Sequence, residues 1–155
     1  MSNFEIEIVN DSQSKVDESR LVKTAAFALA HLRMNPETEL SIALVDLDEM
    51  ERLHLEHMDE PGPTDVLSFE MDELRIPNEG EVAEPGILGD VVLCPEFAQK
   101  QASENNQDTA TELDMLLVHG ILHLLGHDHA EPEEHRVMFG LQNEILNAMK
   151  SSGGK

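Results

Sequence analysis

The stretch His119-Gly120-Ile121-Leu122-His123-Leu124-Leu125-Gly126-His127-Asp128-His129 decides how this chain is read. His119 and His123 stand four apart within the apolar run of residues 113–125, a spacing that puts both on one face of a helix. If that helix ran on, His129 would lie about 9 Å farther along the axis than His123 and be rotated by about 240°, out of reach of the same ion. Gly126 stands where a helix C-terminus takes a residue of positive φ, so the helix is expected to end there and let His129 swing back. Neutral imidazoles suit zinc, and three protein ligands leave a fourth tetrahedral position for water, whose pKa a bound Zn²⁺ lowers to about 7. Any one of these histidines alone reads as an ordinary surface residue. The helix-then-glycine arrangement of three reads as a mononuclear centre, with His119, His123 and His129 holding one Zn²⁺ per chain.

His127 neighbours His129 and is read as pointing elsewhere, solvated or hydrogen-bonded. A ligand imidazole needs an acceptor for its second ring nitrogen, and Asp128, Asp114 and Asp90 compete for that role. Asp128 serves equally well as a residue that stabilises the turn through its own backbone. The same His-x3-His-x2-Gly-x2-His spacing occurs in metzincin peptidases, where the residue after the first histidine is the glutamate general base. Here that residue is Gly120, so proteolysis by that route lacks its base. No catalytic residue beyond the ligands can be named.

His119-Gly-x-Leu-His-Leu-x-Gly-x-Asp-His129 resembles the signature of the YbeY endoribonucleases, also called rRNA maturation factors. Pro63-Thr64-Asp65-Val66-Leu67-Ser68-Phe69 is similar to that family's strand motif, and Leu88-Gly89-Asp90-Val91-Val92-Leu93 to the strand that follows. The likeness spans about residues 4–149, with its three motifs in order. It implies a single-strand-specific, metal-dependent endoribonuclease acting in 16S rRNA maturation and ribosome quality control, with His119, His123 and His129 as zinc ligands. Its partners would be single-stranded precursor 16S rRNA and the ribosome or ribosome-associated proteins. Many members place an arginine shortly before Pro-Thr-Asp, whereas this chain reads Leu53-His54-Leu55-Glu56-His57-Met58-Asp59. Arg52, Arg75 or the metal must then neutralise phosphate, if anything in this protein does, and each arginine reads equally as a surface charge.

Asp and Glu number 32 against 10 Lys and Arg, a formal charge of −22. A protein binding RNA mainly by counterion release would carry a basic stripe, and these cations form no run. Affinity for naked RNA is therefore expected to be weak, with positioning left to the metal, backbone N–H groups and a ribosome-bound partner. Cys94 is the only cysteine, which rules out an internal disulfide, suits a reducing compartment and reads as strand-end packing. The N-terminus has no basic segment followed by an apolar stretch, and nowhere do 18 apolar residues run together. The expectation is a cytoplasmic protein without a membrane partner.

The 155 residues suit a single domain over residues 1–150, with a disordered, frayed tail at 151–155. There is no Trp or Tyr, so the core must be aliphatic, with methionines such as Met34, Met115 and Met138 filling gaps. Residues 4–9 alternate as a half-buried strand, 17–34 carry a helical apolar stripe ended by Asn35-Pro36, and 40–45 read as a second strand. A short helix over 46–57 leaves His54 and His57 at the surface. After Pro61-Gly62-Pro63 comes a strand over 65–71, whose Thr64, Asp65 and Ser68 either line a substrate channel or merely satisfy the strand end. Residues 72–87 read as a mobile surface loop covering or flanking the site. Residues 88–94 form a central strand, 95–103 a helix, and Thr109 starts the metal helix with Glu112 completing a capping box. Pro132 opens the last helix, with Val137, Met138, Leu141, Ile145 and Leu146 as its apolar stripe. The fold class expected is α+β, a small mixed β-sheet packed on a helical layer, with the metal site on the helix ending at Gly126. A metallopeptidase and a non-catalytic assembly factor with a structural metal are the competing classes; Gly120 opposes the first, and three rather than four ligands oppose the second.

Overall fold

The computed structural model describes residues 4–58, 64–127 and 131–153. Strands β1 (Glu5–Asn10), β2 (Glu39–Leu44), β3 (Val66–Glu70) and β4 (Ile87–Leu93) and helices α1 (Glu18–His31), α2 (Leu47–Met58), α3 (Pro95–Glu104), α4 (Thr109–Leu124) and α5 (Pro132–Gly153) follow one another in the order β1-α1-β2-α2-β3-β4-α3-α4-α5. The strands form one sheet in the order β1-β2-β4-β3. β1 and β2 pair in parallel, as do β2 and β4, while β3 runs antiparallel to β4 in the register Ser68 opposite Val91. This is the mixed sheet of an α+β protein. The parallel pairs need helical crossovers, which α1 supplies between β1 and β2.

Alternation along the strands sorts the apolar residues into two layers. Leu40, Ile42, Leu44, Val91 and Leu93 pack against α1 and α4 in the main cluster, where Leu21, Leu29, Leu117 and Ile121 are almost fully buried. The opposite parity, Ala43, Leu67, Phe69 and Val92, meets Leu47, Met50 and Leu53 of α2 in a smaller second cluster. The sheet is therefore covered on both faces, where a single helical layer was expected. Cys94 belongs to that second cluster as a fully buried residue, and burial pushes its thiol pKa up, in keeping with a packing role.

Helix ends are set by local chemistry. The Asp17 side chain accepts from the Arg20 N–H to start α1. That helix stops at His31, earlier than Asn35-Pro36 would place it. Arg33 takes φ +61°, and the N–H groups of Arg33 and Met34 close back on the carbonyls of Ala30 and Leu29, a Schellman closure built without glycine. The expected capping box of α4 is replaced by Asp108, whose carboxylate accepts from the Thr111 N–H at 2.7 Å. Glu112 is instead buried and accepts from the Gln107 amide. The N-cap lies one residue earlier than the sequence suggested because Asp caps at least as well as Thr. At the chain's end α5 reaches Gly153 and takes in residues 151–153 of the segment expected to fray.

The segment between β3 and β4 is anchored rather than loose. Leu74 and Ala83 are buried, Asn35 donates to the Ala83 carbonyl at 3.1 Å, and Arg33 donates to the Pro77 carbonyl at 3.0 Å. No helix of the described residues is long and apolar enough to cross a membrane.

Candidate metal centre and cleft

α4 lies across the sheet with two kinds of face. Leu113, Leu117, Val118, Ile121 and Leu122 are buried. His119 and His123 fall on a half-buried stripe one turn apart, their ring centroids 4.8 Å apart and nearly perpendicular. They open into a cleft of ≈ 770 Å³ walled by β3, α4 and α5, with His54 of α2 also on its lining. His119 is oriented from a distance in sequence. Its Nδ1 lies 2.8 Å from Oε1 of Gln142 in α5, a buried side chain 23 residues later. With that oxygen accepting, Nδ1 carries the proton and Nε2 keeps the lone pair that a metal needs. Two imidazoles one helical turn apart, one of them held in the metal-binding tautomer, fit a zinc ion.

The third expected ligand, His129, lies outside the described residues, as does Asp128. Among the described residues no group of three His, Cys, Asp or Glu is arranged to hold a metal. The other two candidates for orienting the imidazoles do not do so. Asp114, at the opposite end of α4, accepts from Arg20 Nε at 2.9 Å and from Thr24 Oγ1 at 3.0 Å. Burial nevertheless pushes its pKa above the ordinary carboxylate value. Asp90 has the strand parity of Val92, on the sheet face turned away from α4. The sequence missed Gln142, and its one signal was a polar residue inside the apolar stripe of the last helix. Val137 of that stripe is in fact 44% exposed. His127 is half-buried, and burial lowers its pKa.

Gly126 ends the helix as expected. It follows the C-cap Leu125 with φ +96°, and the N–H groups of Gly126 and His127 bond to the carbonyls of His123 and Leu122, each at 3.0 Å. This is a Schellman motif. It ends the helix immediately after the histidine pair. Gly120 has a different reason for being glycine. A Cβ there would sit 2.8 Å from Val91 Cγ1 and 3.1 Å from Ser68 Oγ, so this position is where α4 rests on the sheet. Ser68 Oγ also donates to the Gly120 carbonyl at 3.0 Å. A glutamate in the metzincin place would have to enter the sheet, and the peptidase base is excluded sterically as well as chemically.

Thr64, Asp65 and Ser68 all line the cleft, and Ser68 also satisfies the Gly120 carbonyl. His54, expected at the surface, lines it too. Among the described residues no Lys or Arg does. Arg52 is engaged by Glu49 and Glu56 on the exposed side of α2. Arg75 donates to the Leu74 carbonyl at 2.8 Å, lies 3.5 Å from Glu70 and packs over Gly126, at the cleft's rim rather than in its wall.

The sequence model of the family Endoribonuclease YbeY matches residues 6–150. Proteins named Endoribonuclease YbeY from Thermobifida fusca and Cutibacterium acnes are each 54% identical, over 147 residues (95% of both chains) and 143 residues (92% of both) respectively. The one from Streptomyces coelicolor is 49% identical over 152 residues, 96% of this chain and 92% of that protein. The solution structure of TM1509 from Thermotoga maritima superposes with a TM-score of 0.63 over 96% of this chain and 89% of that one, at 24% identity, and shares the fold. The histidine helix, the two strand motifs and these likenesses over nearly the whole length agree, and the chain belongs to the YbeY family of endoribonucleases.

Proposed function

We propose that this metal-dependent endoribonuclease of rRNA maturation works through one Zn²⁺ held by His119, His123 and His129, and cuts single-stranded RNA in the precursor of 16S rRNA. The observation that carries the reading is the pair His119 and His123 facing a cleft, with Gln142 at Nδ1 of His119. When bound, the cation supplies Lewis-acid stabilisation of charge developing on the phosphodiester oxygens. Gln142 keeps the His119 tautomer and ring orientation, and Gly126 turns the chain so that His129 can return toward the pair. With no Lys or Arg on the cleft lining among the described residues, phosphate recognition is left to the metal and to backbone donors. Association with the ribosome then supplies the positioning that a chain of charge −22 cannot obtain from RNA alone. A role in ribosome quality control and a cytoplasmic location follow from the same reading.

Elemental analysis of the purified protein should give one zinc per chain. Chelation should abolish cleavage of single-stranded RNA, zinc should restore it, and duplex RNA of the same sequence should resist. His123→Ala should lose both the metal and the cleavage. A His119→Ala/His123→Ala protein that still cuts at the wild-type rate would place the chemistry elsewhere. End-group analysis of the products separates two attacking groups, because attack by the RNA 2′-hydroxyl leaves a cyclic phosphate and attack by water need not.

A further inference from the structure

We infer that the open edge of β3 is the track for the RNA backbone, with the N–H groups of Val66, Ser68 and Glu70 donating to successive phosphates. The inference rests on the reading of single-stranded RNA as substrate and names the donors that hold it. β3 is the last strand in the order β1-β2-β4-β3 and, among the described residues, pairs only with β4. One side of it therefore presents unpaired backbone groups. The cleft follows that side, lined by the consecutive residues Thr64, Asp65, Val66, Leu67 and Ser68 and then by Glu70. A cavity over one sheet face would touch alternate residues alone. Here Val66 packs on the main cluster and Leu67 belongs to the second, on opposite faces of the sheet, yet both border the cleft. The space thus runs past the edge of the strand, and His119 and His123 share its lining.

The ladder decides which groups point outward. The Asp65 carbonyl accepts from the Cys94 N–H at 3.4 Å, and the Met71 N–H donates to the Leu88 carbonyl at 3.2 Å. Antiparallel bonding recurs at every second residue, so residues 65, 67, 69 and 71 face β4, while Val66, Ser68 and Glu70 turn N–H and C=O away from it. None of the described residues accepts from those three N–H groups. They repeat at about 6.8 Å, two residues of strand rise, a step close to that between neighbouring phosphates of an extended polynucleotide. Sheet edges form anion-binding surfaces, and backbone N–H groups commonly position phosphates. Such donors carry no net charge, which suits a lining without Lys or Arg among the described residues. Duplex phosphates wind away from any straight row, so the row selects an extended single strand. The outward carbonyls can accept from 2′-hydroxyls, which DNA lacks. Of the carboxylates beside the row, that of Glu70 lies 3.5 Å from Arg75.

The test is a phosphate scan. Single-stranded RNA oligonucleotides, each with one phosphate replaced by a neutral methylphosphonate, are titrated against the full-length wild-type, Glu70→Ala and Glu70→Pro proteins, with anisotropy read before cleavage sets in. Wild-type affinity should fall about 10- to 150-fold at each of three consecutive phosphates, the range for a hydrogen bond to a charged group. Glu70→Ala keeps the N–H and loses only the carboxylate, so it should bind intact RNA at least as tightly as wild type and show the same three positions. Proline is tolerated on an edge strand where the missing N–H faces away from the ladder. Glu70→Pro should bind about 10- to 150-fold more weakly than Glu70→Ala, and its sensitive stretch should shorten by one phosphate at one end. A flat scan with the wild-type protein, which requires no variant to fold, overturns the row. So does a Glu70→Pro protein with the affinity and the full sensitive stretch of Glu70→Ala, and the open edge would then be left to a polypeptide strand. A wild-type protein that binds a duplex of the same sequence as tightly as the single strand overturns instead the single-strand reading beneath the proposal.

Discussion

Gln142 decides what His119 can do. A histidine on an exposed helix turns its ring freely and shares its proton between two nitrogens. Here the Oε1 acceptor at 2.8 Å fixes both. Removing such a partner from a metal-ligating imidazole typically costs 10- to 100-fold in metal affinity. Gln142→Leu, which preserves volume, should therefore weaken zinc binding by about that factor, read by competition with a chromophoric chelator, while leaving the thermal midpoint of the metal-free protein within a few degrees of wild type. Equal zinc affinity in the two proteins would show that His119 needs no such support. At this scale the sequence was unevenly legible. The histidine pair and the glycine that ends its helix are local patterns, visible because four-residue spacing and positive φ are properties of the chain itself. The partner 23 residues away was hidden, since three aspartates were chemically better candidates and nothing local reveals that Asp114 and Asp90 face other ways.

α4 is held at its two ends by different means. At the histidine end, Gly120 brings its backbone onto Val91 and Ser68, a contact that one methyl group would fill. At the other end Asp114 ties it to Arg20 and Thr24 of α1, beside a second cavity of ≈ 370 Å³. Asp114→Ala should cost about 1–3 kcal/mol, mostly from the buried Thr24 hydroxyl left without its acceptor. The carboxyl's pKa is raised by burial in the folded state, so the folded protein holds this proton more tightly than the unfolded chain does. Between the ordinary aspartate value, about 3.9, and the raised one, stability should increase as pH falls. The wild-type protein should accordingly gain on Asp114→Asn in urea melts as pH is lowered through that window. A difference between the two that does not vary with pH would contradict the burial of an ionised carboxylate.

On the scale of the whole molecule, the charge of −22 and the absence of a cationic cleft lining among the described residues set how RNA can be bound. The logarithm of RNA affinity against that of salt concentration should fall with a shallow slope, well short of the roughly −4 that six phosphate contacts on single strands would give. A steep slope would require cationic side chains outside the described cleft lining to contact phosphates. The sequence by itself determined the element order, the α+β class, the histidine pair, the Gly126 stop and the family resemblance, because periodicity, capping and spacing are written in neighbouring residues. Only the tertiary structure decided that both sheet faces are covered, that Gly120 is the seat of α4 on the strands, and that Phe139 and Gln142 of α5 meet His119. Those facts depend on which faces of distant segments bury one another, and that is settled by packing across the sheet rather than by any stretch of chain alone.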